Sequence, residues 1–258
     1  SIESIWWLIK KVHEQKRLYE GFRTMTWCAS CETALAKHEL NYKEIKDSSI
    51  FLKFKIKGKA SDHLIVWTTT PWTIPFNLGV MANPDVAYVK AKVGNEYWII
   101  AKGLANTLIS DMLGKKLEIA EEFYGKSLEG MEYAPALYNE LHNIYDDING
   151  KSKKTHTIVL SSEYVDTSPG TGLVPMAPGC GPEDYEVGHR NNIPPFNNLN
   201  EMGVFPNEMG VFAGFTAKKD DSKFVEHFKK NGSLVAESRL EHDYAHCWRC
   251  GSPIIYRA

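Results

Sequence analysis

The sequence predicts an α+β fold in which helices and cysteine-bearing turns at both ends enclose a mainly β middle. Three observations carry this. Apolar residues near the N-terminus recur at spacings of three and four, whereas from Ser49 onward they approach alternation. Short β-rich runs bounded by Gly, Pro and Asn fill the centre. Four of the five cysteines form two Cys-x-x-Cys pairs, Cys28/Cys31 and Cys247/Cys250, one near each end of the chain.

Taken in order, residues 1–20 read as an amphipathic helix through Ile2, Ile5, Trp6, Ile9 and Val12, ended by Gly21. Residues 24–31 read as a strand entering a metal knuckle, and 32–38 as a short helix. Phe51 to Lys57 approaches strand alternation, and His63–Trp67 is a compact β run ending in Thr68, Thr69, Thr70 and Pro71. Residues 86–93 and 96–101 form a hairpin across Gly94-Asn95. Apolar residues at helical spacing mark 104–113, and further strands fall at 117–123, 155–160 and 172–177. Pro182 suits the first turn of a helix through Tyr185 and Val187. Residues 191–210, rich in Asn, Pro and Gly, read as a long loop, and 217–230 as a helix closed by Asn231-Gly232.

Composition excludes several classes. At 258 residues, with 43% hydrophobic and 24% charged, the chain can bury a sizeable core and is not disordered. No apolar run is long enough to span a bilayer, and the N-terminus has no signal-peptide layout, so no membrane association is expected. A net charge of −2 makes no case for a general nucleic-acid coat. An odd number of cysteines argues against a disulfide framework and suits a reducing cytoplasm.

Each Cys-x-x-Cys pair supplies two ligands, whereas a structural zinc needs four. If the pairs share one ion, Cys28, Cys31, Cys247 and Cys250 close its coordination sphere and the chain ends meet, as in a domain inserted into a larger protein. Two unrelated reduced pairs, or a redox Cys-x-x-Cys, are the alternatives. His246 precedes Cys247 but is not needed as a ligand.

Two central segments can carry chemistry: Trp67-Thr-Thr-Thr-Pro-Trp-Thr73, and Gly170-Thr-Gly-Leu-Val-Pro-Met-Ala-Pro-Gly-Cys-Gly-Pro-Glu-Asp-Tyr185. Successive threonines at a strand end present hydroxyls on both faces. Read alone, they also satisfy plain β-propensity beside a turn. The second segment reads as strand, glycine-rich loop and helix N-terminus with Glu183 and Asp184, which taken singly are ordinary helix-dipole partners. It is not a P-loop, because no Gly-Lys-Ser/Thr follows.

Together these segments, with Ser4-Ile-Trp-Trp7, Trp27-Cys-Ala-Ser-Cys-Glu-Thr-Ala-Leu35 and His246-Cys-Trp-Arg-Cys-Gly-Ser-Pro-Ile-Ile-Tyr-Arg257, resemble the editing insertion of isoleucyl-tRNA synthetases, which are class I aminoacyl-tRNA synthetases. The resemblance runs over nearly the whole chain. Its Thr-Thr-Thr-Pro-Trp-Thr string is specific, since the related valyl and leucyl enzymes carry an Arg after the threonines. The resemblance implies a β-barrel-like editing domain (49–237) with peripheral helices, on a small zinc-bearing base formed by 1–48 and 238–258. It implies hydrolysis of valyl-tRNA(Ile) at the 3′ acceptor end, because a pocket sized for isoleucine rejects valine by only about 1–3 kcal/mol, a long-known property of this family's chemistry.

By the same resemblance, Asp184 takes the substrate α-ammonium group. Thr68, Thr69, Thr70 and Thr73 line the pocket, with Trp72, Asn77 and Pro175 at further pocket positions. Thr69, Thr70 and Asn77, with Asp184, make up the catalytic set. No nucleophilic triad is implied; a positioned water attacks an already labile ester. The synthetic-site signatures are absent from this chain, so ATP and Mg2+ belong to a part of the synthetase outside it. The implied partners are the rest of the synthetase and tRNA(Ile), in a cytoplasmic monomer. Two departures stand out: Pro175 and Cys180 occupy positions where relatives usually carry histidine. A binding module without hydrolysis, or a free-standing deacylase, are the competing readings.

Overall fold

A computed structural model describes all 258 residues. In chain order the elements are α1 (Ile2–Glu14), β1 (Met25–Cys28), β2 (Thr33–Ala34), β3 (Leu40–Ile56), β4 (Asp62–Thr68), β5 (Gly79–Ala82), β6 (Ala87–Val93), β7 (Glu96–Ala101) and α2 (Lys102–Asn106). There follow β8 (Glu118–Tyr124), β9 (Tyr133–Ala134), α3 (Tyr138–Lys151), β10 (Thr157–Leu160), β11 (Leu173–Met176), α4 (Pro182–Arg190), α5 (Asp221–Lys230), β12 (Leu234–Cys247) and β13 (Ile255–Arg257). The fold is α+β, as expected.

Seven strands form the main sheet, in the order β12-β3-β4-β7-β6-β8, with β9 added beside β3. A smaller sheet, β10-β5-β11, packs across it. The alternation of β3 explains the layering. Ile50, Leu52, Phe54 and Ile56 point into a core shared with Val80, Ile158 and Leu173 of the smaller sheet, while Phe51 faces the other way. That outer face is covered by Ala105, Leu108 and Ile109 of the α2 region, a second apolar cluster with Ile65, Val89 and Ile100. The two sheets thus wrap one core from both sides, with helices on the periphery.

β3 and β12 pair antiparallel from Leu52 opposite Leu234 to Leu40 opposite Cys247, making a two-stranded ribbon. The ribbon leads to the base, where β1 pairs with both β2 and β13 and sets Thr26 opposite Tyr256. The first and last parts of the chain therefore lie side by side. No helix is long and apolar enough to cross a membrane.

Four local expectations change. The first helix stops at Glu14, where Lys16 adopts a left-handed conformation and paired bonds (Lys16 N–H to His13 O, Arg17 N–H to Val12 O) close the end. Residues 32–38 are not a helix. They form the two-residue β2 and a turn at Lys37–Glu39, because Leu35 N–H pairs with Thr26 O and a seven-residue helix has no means to offset nucleation. The helix expected over 217–230 begins only at Asp221, after Lys218 takes a positive φ. The 191–210 loop ends in a short helical turn, Asn207–Phe212.

Candidate functional site

The threonine run sits where β4 leaves the main sheet. Pro71 cannot donate to a strand ladder, so the chain turns into a tight helical segment, Pro71–Phe76. The turn brings three hydroxyls into a chain: Thr68 Oγ1 lies 3.2 Å from Thr70 Oγ1, which lies 3.2 Å from Thr73 Oγ1. Thr73 in turn donates to Thr70 O at 2.8 Å, and Thr70 N–H donates to Thr68 Oγ1 at 3.1 Å. The geometry leaves Thr69 free of this chain and on the cleft surface.

The opposite wall is β11, with Leu173, Val174 and Pro175, approached through Gly170 and Gly172. Both glycines have positive φ. A Cβ on Gly170 would press to 2.8 Å from the Trp67 ring, and one on Gly172 to 2.5 Å from Ala101. Together the walls enclose a cleft of about 320 Å³. Larger hollows, of about 780 Å³ beside α3 and about 680 Å³ behind Tyr133, hold none of these groups.

Asp184 closes one end of the cleft from the first turn of α4, with Pro182 at the helix start. Its Oδ2 accepts the Ala177 N–H at 2.8 Å. Burial pushes this carboxyl up to about 7, and the Glu183 charge adds to that, against the Ala177 hydrogen bond. No Lys, Arg or His lines the cleft, so Asp184 has no resident counter-ion. A ligand ammonium group is the cation that would complete it.

Cys180 also lines the cleft but is 6% exposed. Burial drives its thiol well above the ordinary value, and the Asn197 amide donates to Sγ at 3.6 Å. It is a neutral, small wall residue and not an activated nucleophile.

The structure gathers Thr68, Thr69, Thr70, Thr73, Pro175 and Asp184 around one cleft. Trp72 and Asn77 lie behind its wall, each 1% exposed. Tyr164 and Asp166 join the rim from the 161–170 loop, a contribution that no motif or periodicity in the sequence signals.

At the base, the Sγ atoms of Cys28, Cys31, Cys247 and Cys250 all lie within 4.8 Å of one another. Cys28 and Cys247 are buried, and the Cys28–Cys250 separation is 3.4 Å. A tetrahedral ion with metal–sulfur bonds near 2.3 Å places its ligands about 3.8 Å apart, so the donor set and spacing fit one four-thiolate ion. Within the cluster, hydrogen bonds from Ser252 lower the Cys250 thiol, whereas burial raises that of Cys28.

Residues 1–242 match the family described as tRNA synthetases class I (I, L, M and V). Among curated relatives, the isoleucine–tRNA ligases of Pyrococcus abyssi and Pyrococcus horikoshii are 42% and 43% identical over 263 aligned residues. In each, the match covers 100% of this chain and 24% of the relative, so the chain spans about a quarter of their length. The crystal structure of GlLeuRS-CP1 shares the fold, with a TM-score of 0.52 at 13% identity, over 74% of this chain and 99% of that one. With its motifs gathered and its length matched almost throughout, the chain belongs to the class I tRNA synthetases of the I, L, M and V group.

Proposed function

We propose that this chain is the proofreading domain of an isoleucine–tRNA ligase, which hydrolyses valine misattached to tRNA(Ile). One observation carries the reading: a cleft with a chain of threonine hydroxyls on one wall and a half-buried, counter-ion-free carboxylate at its end. The similarity to isoleucine–tRNA ligases supports the choice of amino acid and of tRNA.

In this reading Asp184 takes the α-ammonium group of the esterified valine, a charge-assisted pair strengthened by exclusion of water. Pro175, Val174 and Cys180 face the aliphatic side chain. The threonine hydroxyls orient the ester, the terminal ribose and the attacking water. Water adds to the ester carbonyl carbon, and the bond from that carbon to the ribose oxygen breaks. The products are free valine and a tRNA with its terminal hydroxyl restored. With no imidazole on the cleft, positioning and hydroxyl hydrogen bonds carry the step.

Within that architecture, 49–237 form the hydrolytic domain, and 1–48 with 238–258 form a base held by one structural zinc. Four thiolates leave this ion no open position, so it contributes folding energy and no step of the reaction. ATP and Mg2+ serve the synthetic part of the ligase. The partners are the 3′ end of tRNA(Ile) and the remainder of the synthetase, acting in the cytoplasm.

A second reading is favoured by Pro175, which stands where the family usually has histidine: a module that holds the acceptor end without cleaving it. Deacylation of valyl-tRNA(Ile) by the chain decides between them. Cleavage that requires Asp184 supports the hydrolase. Binding of valyl-tRNA(Ile) without cleavage supports the module.

A further inference from the structure

Behind the cleft wall, buried polar side chains converge on Asn77. Its position is unusual: it follows the helical turn that carries Thr73, and its Nδ2 donates to Gly79 O on β5 at 2.7 Å and to Met176 O on β11 at 3.2 Å. β11 is the strand that presents Leu173, Val174 and Pro175 to the cleft. One amide therefore ties the threonine wall to the apolar wall.

The amide makes these bonds in one orientation only, and Tyr133 selects it. The Tyr133 phenol donates to Asn77 Oδ1 at 2.6 Å, which leaves Nδ2 directed at the two carbonyls. From the main-chain side, His156 Nε2 lies 3.0 Å from Asn77 O. A carbonyl accepts only, so Nε2 carries the proton. Burial holds this imidazole down at about 4, so the ring stays neutral with that proton as its one donor. Nδ1, 2.9 Å from the Asn149 side-chain amide, is then the acceptor and takes the NH2 end of that amide. The His156 backbone N–H also donates to Leu78 O at 2.7 Å. Tyr133 and His156 are 2% and 4% exposed, and neither lines the cleft.

Valine and isoleucine differ by one methylene, so a sieve between them depends on where the two walls stand to within a fraction of an ångström. We infer that Tyr133 and His156 are positioning residues: they fix Asn77, and Asn77 fixes the separation of the two cleft walls on which valyl–isoleucyl discrimination depends. The inference rests on the editing reading above. It assigns Asn77 a role through the walls and not through contact with the ester.

The test is kcat/KM for valyl-tRNA(Ile) and isoleucyl-tRNA(Ile) with the wild-type chain and with Tyr133→Phe, His156→Leu and His156→Gln. Loss of folded protein lowers both rates equally and leaves their ratio untouched, so the ratio isolates wall position. Tyr133→Phe and His156→Leu are expected to lower the valyl preference by roughly tenfold. His156→Gln keeps an N–H where Nε2 stood and should restore most of it. An unchanged ratio in folded Tyr133→Phe overturns the positioning role, with the editing reading intact because wild type still cleaves. Should Tyr133→Phe fail to fold, equal ratios in the two His156 variants overturn it instead. A wild-type chain that cleaves neither ester overturns the editing reading, and the inference with it.

Discussion

Replacing Asp184 with Asn should make the chain more stable at pH 8 and leave it no more stable near pH 4. In the fold this carboxyl is pushed from 3.8 up to about 7, chiefly by burial. A raised carboxylate pKa means the ionised form is disfavoured in the native state, so the associated stability is present below the unfolded value and is lost as pH rises through about 7. A shift of that size sets a ceiling of about 4 kcal/mol. The cleft admits water beside the carboxylate, so a realised effect of about 1–3 kcal/mol is expected. Asn is nearly isosteric, and its Oδ1 can still accept the Ala177 N–H, so no cavity or orphaned donor offsets the gain.

For a chain of this size that corresponds to a rise of roughly 3–10 °C in midpoint at pH 8. The assay is thermal or urea unfolding of both chains between pH 4 and 8.5. His156, held down at about 4, and Asp221, pushed up to about 7, impose their own pH dependence, but both chains share it and it cancels in the difference. A variant less stable than wild type at pH 8, or stabilised equally at both pH values, refutes the reasoning. Activity should move the opposite way, since the ammonium loses its partner.

Metal analysis of the native protein should find about one zinc per chain, and chelation should lower the midpoint until zinc is restored. Protein that is fully stable without any metal contradicts the zinc base. Gly170→Ala should destabilise by about 1–3 kcal/mol through its positive φ, measured by urea titration, and should slow valyl-ester cleavage by pushing Trp67 into the cleft. Pro175→His should raise the ratio of valyl to isoleucyl cleavage; an unchanged ratio places the discriminating wall elsewhere.

The parts legible in the sequence were those with strong local chemistry. The hairpin across Gly94-Asn95, the strand at His63–Trp67 and the helix opened by Pro182 all follow from period and turn residues. The pairing of distant cysteines followed from ligand counting alone. α3 was missed because Asn139, Asn143, Asp146, Asp147 and Asn149 are poor helix formers, and packing of Leu141 and Tyr145 on the core overrides them. The long β12 escapes notice because its alternation is weak. Arg239, Glu241 and Asp243 form an exposed face, and the other face, with Leu240, His242 and Tyr244, is only half-buried and mixes polar with apolar residues.

The site divided in the same way. The threonines lie in one motif and Pro175 with Asp184 in another; each folds locally, but their meeting at one cleft was legible only through the family resemblance. Tyr133 and His156 reach Asn77 across more than fifty residues of chain, and no spacing rule connects them. Tyr164 and Asp166 enter from a loop with no pattern of its own.

The most direct measurement is deacylation of valyl-tRNA(Ile) and isoleucyl-tRNA(Ile) by the chain and by its Asp184→Ala variant. The account predicts faster loss of the valyl ester with wild type, and loss of that activity in the variant. Cleavage that persists without Asp184, or that favours the isoleucyl ester, would contradict it.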